Sequence, residues 1–226
     1  LFYKNFLRRS KISEDEENTE LMNKIAKNII KSVDSYFKRI KVPNPTLDYN
    51  WEYNLIEDKQ INAFCAPGGK IAVYTGILKY TKNKDGLAAV MGHEIAHAVA
   101  KHSAERMSRA IATETGFAMA DVFTGGIAGK ARQVFSDMTG QDILDLSIMR
   151  THGRQQESEA DYMGMAFCSM SGYDLNESAR LWKRMNEKNK SKEIPQFLST
   201  HPSSITRILQ IRGWIPEIKS KFPYSL

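Results

Sequence analysis

Residues 93–97 have the amino-acid types and the spacing of a zinc-binding site. His93 and His97 are four positions apart, so on a helix their side chains lie one above the other on one face. The two rings can then reach one tetrahedral zinc ion at about 2.0–2.1 Å. Glu94 is rotated by about 100° from His93, so it can contact a zinc-bound water without being a ligand. This division of roles is typical of a metallopeptidase in which Glu94 is the general base.

The flanks of this segment favour a functional site over a chance match on a surface helix. Residues 90–92 and 98–100 are apolar or small, which predicts a buried helix. Histidines and a glutamate on a buried helix need partners, because burial of an unpaired polar group is unfavourable. A bound metal would provide them.

The third zinc ligand must come from another part of the chain, because catalytic zinc has three protein ligands and one open position. Residues 157–161 are the best candidate. Glu157 and Asp161 are four positions apart and share a helix face, so one can bind zinc while the other hydrogen-bonds a ligand histidine. The alternative is an acidic, solvated helix start, which the helix macrodipole would favour.

Four segments together resemble the gluzincin metallopeptidases of the group that contains HtpX, the CAAX prenyl protease, Oma, BepA and LoiP. They are residues 62–64 with 67–69, residues 93–97, residues 157–161, and residues 201–202 with Arg207. They occur in the family's order, and residues 102–107 look most like the BepA and LoiP branch. The resemblance implies a zinc peptidase with one Zn²⁺ per chain.

The resemblance also implies individual roles. Glu157, and not Glu159, would be the third ligand, and Asp161 would support a ligand histidine. His201 would lie close to the metal, and His201 or Arg207 would help to stabilise the oxyanion. The family's transmembrane helices and the helical-repeat domain of BepA have no counterpart in the sequence, so a soluble or peripheral quality-control protease fits better than a membrane-embedded one.

The residues leave three roles open for His201: a third ligand in place of Glu157, a fourth ligand that closes the resting site, or an unliganded donor. Pro202 places it on a short connection, whereas permanent ligands are usually held on regular elements. We therefore expect a changeable role, as a donor in catalysis and a latch at rest. His102, on the opposite face of a continued zinc helix, and His152, in a polar stretch, are expected to have surface or structural roles.

Hydrophobic periodicity predicts the elements that must position these residues. A long helix from a capping box of Ser13 and Glu16 should run to about Ile40. Three strands are expected at residues 47–55, 61–65 and 70–74, followed by a zinc helix over 85–107 and two short helices within 110–150. Three more helices are expected: one over 154–171, one from Asp174 to about 188, and one that starts at Ser203 or Ser204 and continues through 211. The predicted fold is α+β, a mainly helical zincin-like metallopeptidase with a small antiparallel sheet beside the zinc helix. A poorly packed arm, 1–12, should precede a single domain, 13–226.

The third strand is the expected substrate-binding element. An extended substrate would pair with it as an added strand, and main-chain hydrogen bonds would give broad specificity for unfolded segments. The residues expected to contact the substrate are Asn62, Gly69, Lys70, Ile71, Ala72 and Val73.

Composition limits the other classes of function. The chain has 226 residues, 42% hydrophobic, with a net charge of +6. Its basic residues are scattered among acids without a recognition motif, so nucleic-acid binding is not expected. No apolar run reaches the roughly 18 residues of a membrane helix. Because the chain starts at Leu1, we expect a removed leader, a periplasmic or cell-envelope location and peripheral or lipid-anchored membrane association. Cys65 and Cys168 could form a disulfide or remain two buried thiols.

The predicted function is therefore that of a zinc-dependent endopeptidase that cuts extended or unfolded protein segments in cell-envelope quality control. A metal-stabilised chaperone that binds unfolded chains without cutting them is the competing class. Glu94 argues against it, because a structural zinc site has no use for a general base and fills its fourth position with a protein ligand.

Overall fold

Helices pack around a small three-stranded sheet in the computed structural model, which describes residues 2–105, 152–189 and 195–225. The elements are α1 (Phe2–Arg9), α2 (Glu16–Ile40), β1 (Glu52–Ile56), β2 (Ala63–Ala66), β3 (Lys70–Tyr74), α3 (Thr75–Thr81), α4 (Lys84–Val99), α5 (Arg154–Met170), α6 (Asn176–Asn189), α7 (Gln196–Thr200) and α8 (Ile205–Lys221). The mainly helical α+β prediction is confirmed. The short helices predicted within 110–150 lie outside the described residues. None of the described helices has the length and hydropathy of a membrane span.

The sheet is mixed, and not antiparallel as predicted. Its strand order is β1-β3-β2, with β3 antiparallel to β2 and parallel to β1. β2 and β3 form a hairpin whose turn includes Gly68 and Gly69, both at φ 79°, a conformation that glycine adopts without strain. β1 lies on the far side of β3, because residues 57–62 carry the chain across the sheet before β2 begins.

The central position of β3 excludes it as a substrate-binding strand. Both of its edges are hydrogen-bonded within the sheet, and Ile71, Ala72 and Val73 are completely buried. An added strand needs a free edge, so the expected role of residues 70–73 is wrong. The two neighbouring candidates also face the protein. Asn62 is buried and its Oδ1 accepts a hydrogen bond from the Ala63 amide, and Gly69 lies against the ring of Trp51.

The first residues form a packed helix and not a loose arm. Tyr3 of α1 is buried, and Phe6 packs edge-on against Phe64 at a centroid distance of 5.1 Å. These aromatic rings cover the face of the sheet opposite the main core. The next helix, α2, starts two residues later than predicted, because Asp15 and not Ser13 is the N-cap, where its side chain accepts from the amide of Asn18.

The two helices that carry the predicted ligands cross at very close range. Gly92 of α4 faces Gly164 of α5, and a Cβ atom added at Gly164 would lie 2.8 Å from the backbone of Gly92. A Cβ at Gly92 would likewise lie 2.8 Å from Cys168 Sγ. The backbones can approach only because both positions lack a side chain. This contact brings the start of the His93 segment next to α5.

The zinc helix ends at Val99, eight residues before the predicted end at Met107. Lys101 has a φ of 57°, in the left-handed region, and residues 102–105 then form a separate helical turn. A left-handed residue interrupts the hydrogen-bond ladder and redirects the chain. His102 therefore does not lie on the opposite face of α4, as a continuous helix would require.

Two of the C-terminal helices begin at their predicted positions. α5 covers Arg154–Met170, and Ser204 is the N-cap of α8, where its Oγ accepts from the Arg207 amide. α8 continues to Lys221, ten residues beyond the predicted 211, although Pro216 lies inside it. His201 lies between α7 and α8, on the short connection that the sequence indicated.

Candidate metal centre

His93, His97 and Glu157 converge on one buried point between α4 and α5. The Nε2 atoms of His93 and His97 are 3.0 Å apart. Glu157 Oε2 lies 3.5 Å from His93 Nε2, and Glu157 Oε1 lies 3.3 Å from His97 Nε2. All three side chains are almost completely buried. The sequence-predicted donors are thus brought together by two elements that are separated in the chain.

These distances fit a tetrahedral zinc ion. Zinc ligands bind at about 2.0–2.1 Å, which places neighbouring ligand atoms about 3.3 Å apart. The distance of 3.0 Å between the two Nε2 atoms is close to this value, and so are the distances of 3.5 and 3.3 Å from the Glu157 carboxylate, which approaches His93 with Oε2 and His97 with Oε1. Two imidazoles and one carboxylate are also a donor set of catalytic zinc sites. The residues therefore have both the chemistry and the spacing to hold the metal.

His201 lies within the same cluster. Its Nδ1 atom is 3.2 Å from His93 Nε2 and 2.9 Å from Glu157 Oε1, so it occupies the fourth corner of the donor set. Its Nε2 atom is 3.3 Å from Oε1 of Glu94, which is itself 1% exposed. The base candidate and the changeable histidine are therefore in direct contact.

Asp161 and Arg207 form a charged clamp behind the cluster. Asp161 Oδ1 lies 3.0 Å from His93 Nδ1, which leaves His93 Nε2 directed at the metal point. Arg207 donates from Nε and Nη2 to both carboxylate oxygens of Asp161, at 2.6 and 2.8 Å. Its Nη1 donates to the Pro202 carbonyl at 2.8 Å and lies 2.7 Å from Glu157 Oε2.

These contacts contradict the expected role of Arg207 in oxyanion stabilisation. Its guanidinium is buried, bonded to Asp161 and Pro202, paired with Glu157, and stacked on Trp182 at 3.7 Å from the ring centroid. A guanidinium held in this way orients the two carboxylates and does not face a substrate. Sequence reasoning missed Trp182, which also packs edge-on against His93.

The charges of the clamp determine the protonation states of the donors. Burial lowers the pKa of His93, but its hydrogen bonds to Asp161 and Glu157 outweigh burial and raise the pKa to about 9. Burial and the nearby charge of His93 hold the pKa of His97 well below its usual value. Burial raises the pKa of Glu157, but His201 and Arg207 outweigh it and keep that pKa well below its usual range. His97 and Glu157 thus have the neutral and ionised forms that metal binding requires, whereas His93 loses its proton when a metal binds.

Two further histidines lie against the cluster and are buried, and not on the surface. His102 Nδ1 is 2.9 Å from His97 Nδ1, and the ring of His152 lies 3.8 Å from that of His97, centroid to centroid. The ring of His152 is also stacked on that of His201, at 4.8 Å. Helical periodicity could not find these two residues, because the turn at Lys101 and the return of the chain before α5 have no periodic signal.

The cysteines are two separate buried thiols. Cys65 Sγ lies 3.4 Å from the Ala66 carbonyl on β2, and Cys168 Sγ lies 3.2 Å from the Ala88 carbonyl across the α4–α5 contact. Burial raises the pKa of Cys168 to about 12, which makes it an unreactive thiol.

Residues 23–215 match the sequence profile of Peptidase family M48. The chain belongs to this family. Its members are zinc-dependent metallopeptidases, which agrees with the donor set of the cluster. Membership of the group that the motifs resembled is therefore confirmed, and so is the expected cofactor.

Three relatives in the family are similar over most of the chain. Mitochondrial metalloendopeptidase OMA1 of Schizosaccharomyces pombe is 38% identical over 196 residues, which are 84% of this chain and 54% of the relative. Mitochondrial metalloendopeptidase OMA1 of Saccharomyces cerevisiae is 34% identical over 211 residues, which are 89% of this chain and 58% of the relative. The β-barrel assembly-enhancing protease of Escherichia coli is 26% identical over 202 residues, which are 86% of this chain and 38% of the relative. The chain spans a little over half the length of the two fungal relatives, which are more similar to it than the E. coli protein is.

Proposed function

We propose that the chain is a zinc-dependent endopeptidase whose metal is held by His93, His97 and Glu157. The observation that carries the proposal is the convergence of three buried donors near tetrahedral spacing, with Glu94 directly after His93 on the same helix. Asp161 Oδ1, which lies 3.0 Å from His93 Nδ1, orients this ring. The whole donor set is fixed to two helices that cross at glycines, which gives it the rigidity that a catalytic site requires.

The residues divide the chemistry of peptide hydrolysis among themselves. When bound, zinc would polarise the scissile carbonyl and lower the pKa of a water molecule toward about 7. Glu94 takes a proton from this water as its oxygen bonds to the carbonyl carbon. Glu94 then gives the proton to the amide nitrogen as the C–N bond breaks, so that an acid and an amine leave.

His201 has a role that depends on the state of the site. With its Nδ1 atom at the fourth corner of the cluster, it closes the position that a water must occupy. Removal of the ring from this corner opens the site and leaves its N–H available to the oxyanion. We assign it both the latch at rest and the donor in catalysis.

Glu94→Gln tests the mechanism, because it removes the base and leaves every proposed ligand in place. Casein cleavage and zinc content are measured for the wild type, for Glu94→Gln and for Glu187→Gln, an exposed carboxylate on α6. The expected result is full zinc in all three proteins and loss of nearly all activity only in Glu94→Gln. Full activity in Glu94→Gln would refute the mechanism. Zinc binding without cleavage by the wild type would favour the chaperone class.

The substrate is an extended or unfolded protein segment that is recognised through its backbone. Although β2 is an edge strand of the described sheet, it does not offer a free edge, because its Ala63 amide donates to Asn62 Oδ1 and its Cys65 carbonyl accepts from the Ser103 hydroxyl. Recognition of the substrate backbone gives broad specificity. Peptide substrates with N-methylated backbone amides should resist cleavage, whereas side-chain changes at the same positions should be tolerated. The reverse result would contradict backbone recognition.

The cellular role we propose is protein quality control in the periplasm or cell envelope, at a membrane surface. The E. coli relative, a β-barrel assembly-enhancing protease, supports this role. The mitochondrial names of the two fungal relatives support a mitochondrial location as the second candidate. Fractionation of cells that make the full-length protein, followed by immunoblotting, separates the two.

A further inference from the structure

The turn that follows α4 has a disfavoured backbone conformation and is held in place by two hydrogen bonds. Lys101 adopts a left-handed conformation that is disfavoured for a non-glycine residue, which turns the chain back at the end of the helix. The Ser103 hydroxyl donates to the Cys65 carbonyl at 2.7 Å, which fixes the turn to β2. Glu105 Oε2 accepts from Gln156 Nε2 on α5 at 2.7 Å. A disfavoured conformation with such support indicates a function for the side chain that it places.

The side chain that this turn places is His102. Its Nδ1 atom lies 2.9 Å from Nδ1 of His97, and its Nε2 atom lies 3.3 Å from Oε2 of Glu159 on α5. His97 and His102 are 1% and 3% exposed, whereas the Glu159 side chain is 56% exposed. The three groups form a chain of polar contacts from the buried metal point to the surface.

The chemistry of the contacts fixes where each proton lies. His97 binds metal through Nε2, so its Nδ1 must carry the proton. That N–H can only donate, so His102 Nδ1 must accept and its proton lies on Nε2. His102 Nε2–H then donates to Glu159, which as a carboxylate can only accept. Every donor in the series meets an acceptor, with no ring charged.

We propose that His102 is a positioning residue that fixes the ring orientation and tautomer of His97 and connects it to Glu159. The inference rests on the proposed zinc ligation by His97 and adds a residue to it. The two ligand histidines are then held differently. His93 is held by the buried Asp161–Arg207 clamp. His97 is held by the neutral ring of His102, which in turn contacts the exposed carboxylate of Glu159.

A second cation in the same place is less favourable. His97, His102 and His152 have ligand atoms close enough to share a metal. A metal on His97 Nδ1 would require this ring to lose both of its protons, because Nε2 already binds the first metal. The hydrogen-bonded series needs no such deprotonation, and the geometry therefore favours it.

The test measures zinc affinity by competition with a chromophoric chelator in the wild type, His102→Ala and His102→Asn. We expect His102→Ala to bind zinc about 10–100-fold more weakly, the usual effect of losing a partner of a metal-bound histidine. His102→Asn places an amide oxygen near the position of Nδ1 and should restore most of the affinity. The visible spectrum of the cobalt-substituted protein should change in His102→Ala and return toward that of the wild type in His102→Asn. Melting of the metal-free proteins monitors folding separately.

The possible outcomes separate this inference from the proposed function. Unchanged affinity in His102→Ala would overturn the positioning role, as would equal weakening in both variants with intact folding, which indicates packing alone. Two zinc ions per wild-type chain and one in His102→Ala would show a second metal site instead. If the wild type bound zinc without cutting casein, the endopeptidase proposal would fail, but the affinities would still decide the role of His102. A wild type that bound no zinc would refute both.

Discussion

Asp161 supports the site from two sides, because it contacts His93 and receives two hydrogen bonds from Arg207. Asp161→Ala should weaken zinc binding by about 10–100-fold, since His93 loses its orienting partner. It should also lower the free energy of unfolding by about 3–5 kcal/mol, because Arg207 becomes a buried charge with only Glu157 to pair with.

Asp161→Asn separates the two effects, because the amide keeps the shape and one oxygen. We expect a smaller loss of zinc affinity than in Asp161→Ala, measured by chelator competition, with thermal unfolding monitored in parallel. Equal zinc affinity in the wild type and Asp161→Ala would show that the contact with His93 does not support metal binding.

His201 is the second residue for which the geometry gives a specific expectation. His201→Ala should retain zinc, because His93, His97 and Glu157 remain, and turnover of casein should change. A rise would show that the latch dominates, and a fall would show that the donor dominates. Loss of zinc in His201→Ala, with retention in Glu157→Ala, would instead identify a three-histidine site.

At the scale of single residues, the sequence predicted the metal ligands better than the residues that surround them. The spacing of His93 and His97 determines their common face on any helix, so their convergence follows from helical geometry. The direction of the Arg207 side chain cannot be predicted in this way, because it depends on the packing of α8 against α5. His102 was misplaced because no residue type at position 101 signals a left-handed turn.

At the scale of elements, the α4–α5 crossing determines the distance between the histidines and Glu157. Gly164→Ala should lower the free energy of unfolding by about 1–3 kcal/mol, since its Cβ would lie 2.8 Å from the backbone of Gly92. Separation of the helices should also weaken zinc binding. Thermal unfolding of the metal-free protein and chelator competition measure the two effects.

Gly213→Ala is the matched control for this substitution. It lies inside α8, and a Cβ atom there meets nothing within 4 Å. Alanine should therefore stabilise the helix by about 0.5–1 kcal/mol and leave zinc affinity unchanged. If Gly164→Ala behaved like Gly213→Ala, the close crossing would not be what holds the site together.

The sequence predicted most helices and the strand segments, but not how the strands pair. The hairpin turn at residues 67–69 is a local signal and was found. The alternation from residue 47 was only partly correct, because residues 45–48 form turns and β1 begins at Glu52. Whether β1 pairs with β2 or with β3 depends on which edge the connecting residues 57–62 reach. No local pattern encodes that choice, so the antiparallel prediction failed, and the substrate role of β3 failed with it.

For the whole molecule, metal binding and stability should be linked. A ligand that binds only the folded state stabilises it by about 4 kcal/mol when its concentration is about 1,000 times the Kd. Removal of zinc by a chelator should therefore lower the melting temperature, and added zinc should restore it. A variant that lacks both His93 and His97 should melt at one temperature with or without the chelator. Identical melting of the zinc-bound and zinc-free wild type would contradict a shared ligand set between α4 and α5.

The strand order has a consequence for the growing chain on the ribosome. β1 and β2 are synthesised first, but in the described sheet neither pairs with the other, and β3 is the one strand with which each pairs, although Ile56 at the end of β1 also bridges to Ile12. The sheet therefore cannot begin to form until residues 70–74 have left the exit tunnel. A nascent chain that stops at residue 69 contains two of the three strands of the described sheet. It can nevertheless form none of the pairings between these strands, because both pairings involve β3. Until then both strands depend on other segments, or on chaperones, to keep them from pairing with the wrong partner.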